Sequence, residues 1–333
     1  MKILVVQFSS LSEILLTAPV IRVLKSDLQH TVHYVTKKEY FNNLVASPYL
    51  DKIHLLEDST TRLINELSKE KFDYIVDLQS NFQTRVIKAQ LGTKSLSLKH
   101  LRFKHWLFVN FRLNLLPNVH KVERYMEVVK PLGAKMDSLG LDYFIPHKDE
   151  VEENWLPPTH ANGYAVFAIG ADHATNKLPV KRMIELCDRI NKPIILLGGK
   201  EDIKSAKEVE KFFQPGSDKE EKAIEDLNKK TVIFNACGKF SINQSASVIS
   251  KANWVFTHDN TMMHIAAAFK KPIYSVWGNT TPNFGRYPYR TQFTIFENNK
   301  LKCRPCSTTG FEKCPKGHFK CMNELVFDFY LPD

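Results

Sequence analysis

The sequence predicts an α/β protein built from two doubly wound parallel sheets. Short apolar runs, typical of strands buried on both faces, alternate with segments whose apolar residues recur at helical spacing. The series starts at the first residue, breaks in a proline-containing and acidic stretch at 145–162, and starts again at Ala165. With 333 residues, the chain is also longer than chains that usually fold around a single hydrophobic core. We therefore expect two domains, 1–155 and 156–333.

The first half contains four expected strands and four expected helices. The strands are 1–8, 32–35, 52–56 and 72–78. The helices are 14–24, 41–46, 61–69 and one that follows the turn 79–81 and runs through Lys88. The loop Ser9-Ser10-Leu11-Ser12-Glu13 joins the first strand to the first helix, and Pro19 falls early in that helix, where proline is tolerated.

The second half repeats this alternation. The expected strands are 165–170, 193–199, 231–235, 254–257 and 272–278. The expected helices are 180–190, one that begins at Asp202, 242–250 and one that ends near Phe269. In a parallel sheet the turn at Asp259 lies at the carboxyl edge of the strands, where open α/β sheets bind ligands. The helix after it offers N–H groups and a positive dipole end, which suit a phosphate or diphosphate.

Charge is unevenly distributed. The chain has 46 Lys and Arg against 36 Asp and Glu, a net charge of +10, which favours an anionic partner. From 78 to 122 there is no Asp or Glu, yet eight cations fall there: Arg85, Lys88, Lys94, Lys99, Arg102, Lys104, Arg112 and Lys121. The aromatic residues interleaved with them are Phe103, Trp106, Phe108 and Phe111. Such a segment either meets an anionic membrane or phosphorylated lipid, or supplies core aromatics under a solvated cationic face.

Several classes of protein are disfavoured. The first loop contains no glycine, so it cannot form a G-x-G-x-x-G pyrophosphate turn, and a P-loop Gly-Lys-Ser/Thr is absent. An NAD enzyme or an NTPase is therefore not expected. No nucleic-acid-binding module accompanies the positive charge, so we expect no nucleic-acid partner. No apolar run reaches about 18 residues and no signal-peptide cleavage site is present, so we expect a cytoplasmic protein.

Three motifs follow one another along the chain: the first loop with Glu13 and Thr17-Ala18-Pro19, the segment from Gly170 to Pro179, and the segment from Thr257 to Ala268. In this order they resemble glycosyltransferase family 9, which contains the ADP-heptose:lipopolysaccharide heptosyltransferases. The turn Gly278-Asn279-Thr280 and the tail Cys303-Arg304-Pro305-Cys306 follow the same pattern. The resemblance implies the GT-B fold, with two Rossmann-like domains facing each other across a cleft.

The resemblance also implies an activity and its residues. Sugar transfer from a nucleotide-diphosphate sugar needs a base for the acceptor hydroxyl and stabilisation of the departing diphosphate. Glu13 matches the family's catalytic base, and inversion at the sugar carbon follows. The implied donor-binding residues are Ser9, Ser10, Thr175, Lys177, Glu201, Asp259, Asn260, Thr261, Met262 and His264. The basic N-terminal residues expected to bind an anionic lipid-linked acceptor are Arg85, Lys99, Arg102 and Lys104. No metal or other cofactor is expected, and the acceptor would be met at the cytoplasmic face of the inner membrane.

Three positions depart from the family pattern. Ser12-Glu13 replaces Gly-Asp, Thr175-Asn176-Lys177 replaces Thr-Lys-Arg, and Asp259-Asn260-Thr261 replaces Asp-Thr-Gly. These changes leave two alternatives to an active transferase: a non-catalytic scaffold that binds a nucleotide or saccharide, and a sugar-nucleotide epimerase of the same fold.

Each candidate also has a structural interpretation. Glu13 could be a first-turn acid that complements the helix dipole, His264 a core histidine, Lys177 a solvated lysine and Glu201 a helix-start acid. The tail has the zinc-knuckle spacing C-x2-C-x7-C-x6-C. The cysteines in it are Cys303, Cys306, Cys314 and Cys321, with His318 nearby. We expect reduced structural thiols there, as is usual in a cytoplasmic enzyme.

Overall fold

The computed structural model describes residues 1–214 and 230–332, which fall into two compact units. One unit comprises 1–102 with 117–146, and the other comprises 103–116 with the chain from His147 onward. The expected ranges, 1–155 and 156–333, differ from these units in two places. The first unit ends earlier, at 146, and 103–116 belongs to the second unit. No helix in the described part of the chain has the length and apolar character needed to cross a membrane.

The first unit is organised by a five-stranded sheet. Its strands are β1 (Lys2–Val6), β2 (Thr31–Lys37), β3 (Lys52–Leu56), β4 (Tyr74–Asp77) and β5 (Ser95–Ser97). All pairs are parallel, in the order β3-β2-β1-β4-β5. The chain moves outward from β1 through β2 to β3 and then returns to the other side of β1 as β4. The strand order therefore reverses between β1 and β4.

The chain up to residue 129 contains six α-helices. They are α1 (Leu11–Leu15), α2 (Ala18–Arg22), α3 (Thr60–Leu67), α4 (Phe82–Leu91), α5 (Arg102–Phe111) and α6 (Lys121–Val129). The single helix expected at 14–24 is divided at Thr17, whose hydroxyl donates to the carbonyl of Ile14 at 2.7 Å. Pro19 then lies in the first turn of α2, and a π-helical turn follows at Val23–Asp27. The sequence patterns did not predict β5, α5 or α6.

The second unit is organised by a six-stranded sheet. Its strands are β6 (Ala165–Ala168), β7 (Ile194–Leu197), β8 (Ile233–Asn235), β9 (Trp254–His258), β10 (Ile273–Trp277) and β11 (Phe293–Glu297). All pairs are parallel, in the order β11-β10-β9-β6-β7-β8. The order reverses between β6 and β9. The two-sheet α/β architecture predicted from the sequence is confirmed.

The helices described in this unit are α7 (Val180–Ile190), α8 (Ile203–Phe213), α9 (Ile242–Lys251), α10 (Thr261–Ala268) and α11 (Lys320–Asn323). Of these, α7, α8 and α11 bury apolar residues in a core that includes Phe167, Leu196 and Phe256. The bounds of α7 match the sequence prediction because Met183, Leu186, Cys187 and Ile190 follow helical spacing and are buried.

Residues 103–116 belong to the second unit for a specific reason. Phe108 is buried, and its ring centroid lies 5.9 Å from that of Phe284. The guanidinium of Arg112 donates to the carbonyl oxygens of Lys302 and Cys303, both at 2.9 Å. These contacts connect positions about 190 residues apart, so local sequence patterns could not predict them.

Candidate active site

The reversal of strand order in the first unit places the loop after β1 beside the residues that follow β4. Gln79 bridges the two: its Oε1 accepts from the backbone N–H groups of Phe8 and Ser9 at 3.2 and 3.1 Å. Its Nε2 donates to the hydroxyl of Ser9 at 2.5 Å. Ser9, expected to contact the donor, is thus tied to the neighbouring strand by both its backbone and its hydroxyl. Ligands of open α/β sheets bind at such a reversal.

Glu13 lies in the first turn of α1, directly beyond this loop. Ser10 is the N-cap of α1, and its hydroxyl accepts from the backbone N–H of Glu13 at 3.3 Å. Ser10 has a φ of 47°, in the left-handed region that favours glycine, and this bend directs the chain into the short helix. The Glu13 side chain is 16% exposed, so its carboxylate is largely covered but still accessible to solvent.

Two residues of α6 hold the Glu13 carboxylate. The hydroxyl of Tyr125 donates to Oε2 at 2.6 Å, and the ammonium of Lys121 forms an ion pair with the same oxygen. Tyr125 is fully buried, and burial together with the nearby Glu13 charge raises its pKa well above the ordinary value. The phenol therefore stays protonated and keeps donating. Glu13 is consequently more than a first-turn acid, since two side chains from a distant helix fix its position.

Sequence reasoning missed Tyr125, and it noted Lys121 only as one cation of a basic stretch. The two residues are four apart, the spacing that places side chains on the same face of a helix. Lys121 also lies over the Tyr125 ring, with the ammonium 5.6 Å from the centroid. Nothing in the local pattern links this face to Glu13, which is 112 residues from Tyr125.

The four basic residues expected to bind the acceptor lie on three elements. Arg85 is on α4, Lys99 follows β5, and Arg102 and Lys104 are on α5. All four are exposed, as a site for a bulky anionic ligand would require. Lys104 belongs to the second unit, whereas the sequence had placed it in the N-terminal domain with the others.

In the second unit, Asn260 joins the loops on either side of the reversal in strand order. Its Nδ2 donates to the carbonyl of Gly170, after β6, at 2.6 Å. Its Oδ1 accepts from the hydroxyl of Thr257 and from the backbone N–H groups of Met262 and Met263, at 2.9–3.3 Å. The sequence predicted that the first turn of α10 offers free N–H groups to an anion. That is wrong for Met262 and Met263, because the Asn260 side chain caps both groups.

His258 and Asp259 form further hydrogen bonds at the same edge of the sheet. Thr280, which follows β10, donates to Oδ2 of Asp259 at 3.0 Å. His258 is fully buried and accepts from the backbone N–H of Leu178 at 3.0 Å, and burial lowers its pKa to about 4. It is therefore neutral at physiological pH. His264 is 2% exposed, as the core-histidine interpretation expects, so donor contact by its side chain stays a prediction.

The segment expected to contact phosphate is braced by the C-terminal tail. The Thr175 hydroxyl donates to the carbonyl of Phe311 at 3.0 Å and accepts from its N–H at 2.8 Å. The Asn176 amide donates to the carbonyl of Thr309 at 2.7 Å. Both side chains are buried, with exposed fractions of 2% and 5%. Thr175 and Asn176 thus position the loop, which leaves Lys177 as its cation.

Lys177 is held by a buried acid. Its ammonium lies 2.7 Å from Oδ1 of Asp202, whose side chain is 4% exposed, whereas the lysine side chain is 24% exposed. Oδ2 of Asp202 accepts from the backbone N–H of Gly199 at 2.9 Å. Lys177 is therefore neither a solvated lysine nor an isolated charge. The carboxylate orients it beside the loop that follows β7.

Glu201 lies in a single helical turn at Lys200–Asp202 and is exposed. Its carboxylate folds over Gly199, so a Cβ there would require the exposed Glu201 side chain to move. At Gly198 a Cβ would lie 2.9 Å from Oδ2 of the buried Asp202. The absence of a side chain at Gly198 therefore lets Asp202 pack against this loop.

The tail also supports the turn after β10. Arg304 donates to the carbonyls of Gly278 and Thr280 and pairs with Glu297 at 2.9 Å. The backbone N–H of Cys306 donates to the carbonyl of Asn279 at 2.9 Å. The tail therefore fixes two of the loops that surround the candidate donor site.

The four tail cysteines are free thiols. The Cys303 sulfur lies 3.8 Å from Nε2 of His318, and the Cys306 thiol donates to the carbonyl of Cys303 at 2.8 Å. Burial raises the pKa of Cys306 to about 11 and that of Cys321 to about 12, so both stay protonated at neutral pH. In the described tail no three ligand atoms lie within 4.8 Å of one another.

One group in the described residues meets that distance limit: His33, His54 and Glu70. Glu70 forms ion pairs with Lys2 and Lys52, and these hydrogen bonds lower its pKa to about 2. His33 Nδ1 lies 2.9 Å from His54 Nε2, the distance of a hydrogen bond. Two ammonium groups beside the carboxylate repel a metal ion, so the group is explained as an ion-pair network.

Asn260 generates a stability prediction. Asn260→Ala should lower the free energy of unfolding of the second unit by about 1–2 kcal/mol, because it removes a helix cap. The tie to Gly170 is lost as well. Urea unfolding followed by circular dichroism measures the change. Asn65→Ala, at an exposed position on α3, is the control and should change little; equal stability of both variants would contradict the bridging role.

The cysteine tail generates a second prediction. Protein purified without chelator should contain far less than one zinc per chain, because the ligand atoms of the described tail are not gathered to metal-ligand distances. Inductively coupled plasma mass spectrometry measures the content. A value of about one zinc per chain would instead establish a zinc knuckle.

Comparison with known proteins agrees with this architecture. Residues 60–314 match the sequence profile of "Glycosyltransferase family 9 (heptosyltransferase)". Lipopolysaccharide heptosyltransferase 1 of Campylobacter coli is 21% identical over 310 residues, which are 85% of each chain. ADP-heptose lps heptosyltransferase II of E. coli has a TM-score of 0.67 at 16% identity, covering 97% of this chain and 98% of that one. E. coli heptosyltransferase WaaC with ADP has a TM-score of 0.64 at 19% identity, covering 89% and 93%. Because the profile spans most of the sequence, the chain belongs to glycosyltransferase family 9 and is a glycosyltransferase.

Proposed function

We propose that this glycosyltransferase moves a heptose, or a similar sugar, from a nucleotide-diphosphate sugar to the core of lipopolysaccharide, with ADP-heptose as the donor. The names of the relatives support the sugar and the acceptor, since one is a lipopolysaccharide heptosyltransferase. A structural neighbour that contains ADP supports the nucleotide. The observation that carries the proposal is the Glu13 carboxylate, which Tyr125 and Lys121 hold at the reversal of strand order.

In the proposed reaction Glu13 acts as the general base. An acceptor hydroxyl attacks the anomeric carbon of the donor and passes its proton to the Glu13 carboxylate. The bond from that carbon to the diphosphate oxygen breaks, and the diphosphate leaves with the electron pair. Attack from the face opposite the leaving group inverts the configuration. Tyr125 and Lys121 keep the carboxylate in place, which supplies the fixed geometry that proton transfer requires.

The second unit would hold the donor without a metal. The proposed donor-binding residues of this unit follow β6, β7 and β9, at the carboxyl edge of the sheet. Lys177 supplies positive charge for the diphosphate, and Asp202 orients its ammonium. The N-terminus of α10 adds a positive dipole end, although two of its N–H groups are capped by Asn260. Fixed dipoles and one oriented cation stabilise the departing charge.

The acceptor would be anionic and lipid-linked. Exposed Arg85, Lys99, Arg102 and Lys104 suit the phosphates and carboxylates of a lipopolysaccharide core. We also propose that the protein works on the cytoplasmic side of the inner membrane and is peripheral to it, because a lipid-linked acceptor is held there.

The base assignment can be tested by removing the proton acceptor alone. Glu13→Gln preserves size and polarity, so transfer should fall by about 10²–10⁴-fold while donor affinity stays the same. Steady-state kinetics and calorimetry with a donor analogue measure the two quantities. Glu39→Gln, at an exposed position of the same unit, is the control. Full turnover by Glu13→Gln would show that Glu13 is not the base.

The donor and the absence of a metal requirement can be tested together. Calorimetry with ADP-, GDP- and UDP-linked sugars should show the tightest binding for the ADP-sugar, and transfer to a core-lipid acceptor should continue in excess EDTA. Loss of transfer in EDTA, restored by one metal ion, would contradict the metal-free mechanism. Binding without turnover across the panel would favour the scaffold, and a new sugar nucleotide formed without acceptor would favour the epimerase.

A further inference from the structure

Helix α5 is apolar on two opposite faces, and one of them is packed. On the packed face, His105 and Phe108 contact the ring of Phe284, with centroid separations of 5.3 and 5.9 Å. Arg112, directly after the helix, continues this face and binds two carbonyls of the tail. This side fixes the helix to the second unit, so its orientation on that unit is set by buried contacts.

The opposite face of α5 is exposed. Phe103 and Trp106 are 69% and 50% exposed, and Phe111, one turn further, is 65% exposed. Their spacing places them on one side of the helix. The rings contact one another: the centroids of Phe103 and Trp106 lie 6.0 Å apart, and those of Trp106 and Phe111 lie 5.2 Å apart. We call these three residues the aromatic face.

The apolar surface continues past the helix. Leu113 and Leu115 are 49% and 47% exposed. Together with the aromatic face, they place five exposed large hydrophobic side chains within thirteen residues. Large hydrophobic side chains left exposed together in one segment are typical of an interaction site. The sequence left open whether the aromatics of this segment form core; Phe108 does, and the other three do not.

Cations lie next to the aromatic face in the sequence. Arg102 and Lys104 flank Phe103 on the same helix, and Lys99 precedes the helix, all three exposed. Among the described residues these three form no ion pair, and no acid occurs from 78 to 122. Exposed aromatic rings with unpaired cations at one end of the same helix match the chemistry of an anionic phospholipid surface, in which rings enter the interface and cations meet headgroups.

We propose that the aromatic face docks this protein on an anionic phospholipid bilayer, with Phe103, Trp106 and Phe111 entering the interfacial region. This inference rests on the proposed function, because a lipid-linked acceptor requires the enzyme to reach a membrane. A second copy of the chain is a poorer occupant. A two-fold contact centred on the N-terminal end of α5 would bring Arg102 and Lys104 against the same cations of the partner, and segment 78–122 contains no acid that would offset the repulsion.

Binding to vesicles tests the surface without using the reaction. The full chain is sedimented with vesicles of phosphatidylcholine alone and with vesicles that also contain phosphatidylglycerol. The double variant Phe103→Ser/Trp106→Ser should bind the anionic vesicles about tenfold or more weakly than the unchanged protein. Tyr330→Ser is the matched control, since Tyr330 is an aromatic residue of the second unit that is 79% exposed, and it should bind normally. Circular dichroism verifies that both variants fold.

Each result decides the proposal. Equal binding by the double variant and the unchanged protein, or no preference for anionic vesicles, would overturn it. Self-association that the double variant abolishes in analytical ultracentrifugation, without vesicle binding, would assign the face to a second copy. A separate assay with a delipidated, water-soluble acceptor tests the chemistry, and there the double variant should equal the unchanged protein. If the unchanged protein transfers sugar to neither the lipid-linked nor the delipidated acceptor but still binds vesicles, the proposed function is overturned. The docking surface then still stands.

Discussion

The reversal of strand order at the first strand of each sheet is the constraint on which the candidate site depends. Where successive connections leave in opposite directions, two loops separate at the carboxyl edge and leave room for a ligand. In both units one side-chain amide bridges that gap. Gln79 connects the loop after β1 to the end of β4, and Asn260 connects the loop after β6 to the start of α10. The first bridge holds the loop that leads to Glu13, and the second holds Gly170, at the start of the segment expected to contact phosphate.

Most strands could be predicted because parallel strands buried on both faces have nearly continuous apolar sequences, as in 194–197 and 254–258. The pattern fails where burial is partial. β5 has the sequence Ser95-Leu96-Ser97, with exposed serines, and only its pairing with β4 makes it a strand. Local sequence patterns also could not predict that α5 packs with the second unit, because this depends on contact with Phe284, which is distant in the sequence.

For the site, the sequence predicted which segments lie at the sheet edges but not what each side chain does there. Spacing cannot distinguish a ligand-binding group from one that braces a loop. Thr175 and Asn260 were both expected to bind the donor, and the structure uses their side chains in hydrogen bonds to the protein itself. Conversely, Tyr125 reaches Glu13 only through the tertiary fold, because the two residues are 112 positions apart.

Two departures from the family pattern follow from this bracing. Where the pattern has a lysine, Asn176 is 5% exposed and donates to Thr309, so a lysine there would bury its charge unless it were paired. Where the pattern has threonine, Asn260 both accepts from Thr257, Met262 and Met263 and donates to Gly170. A hydroxyl on a shorter side chain cannot supply that set of bonds. Asn176 and Asn260 therefore hold the loops of this edge, and Lys177, paired with Asp202, is the cation of its segment that the proposed function assigns to the diphosphate.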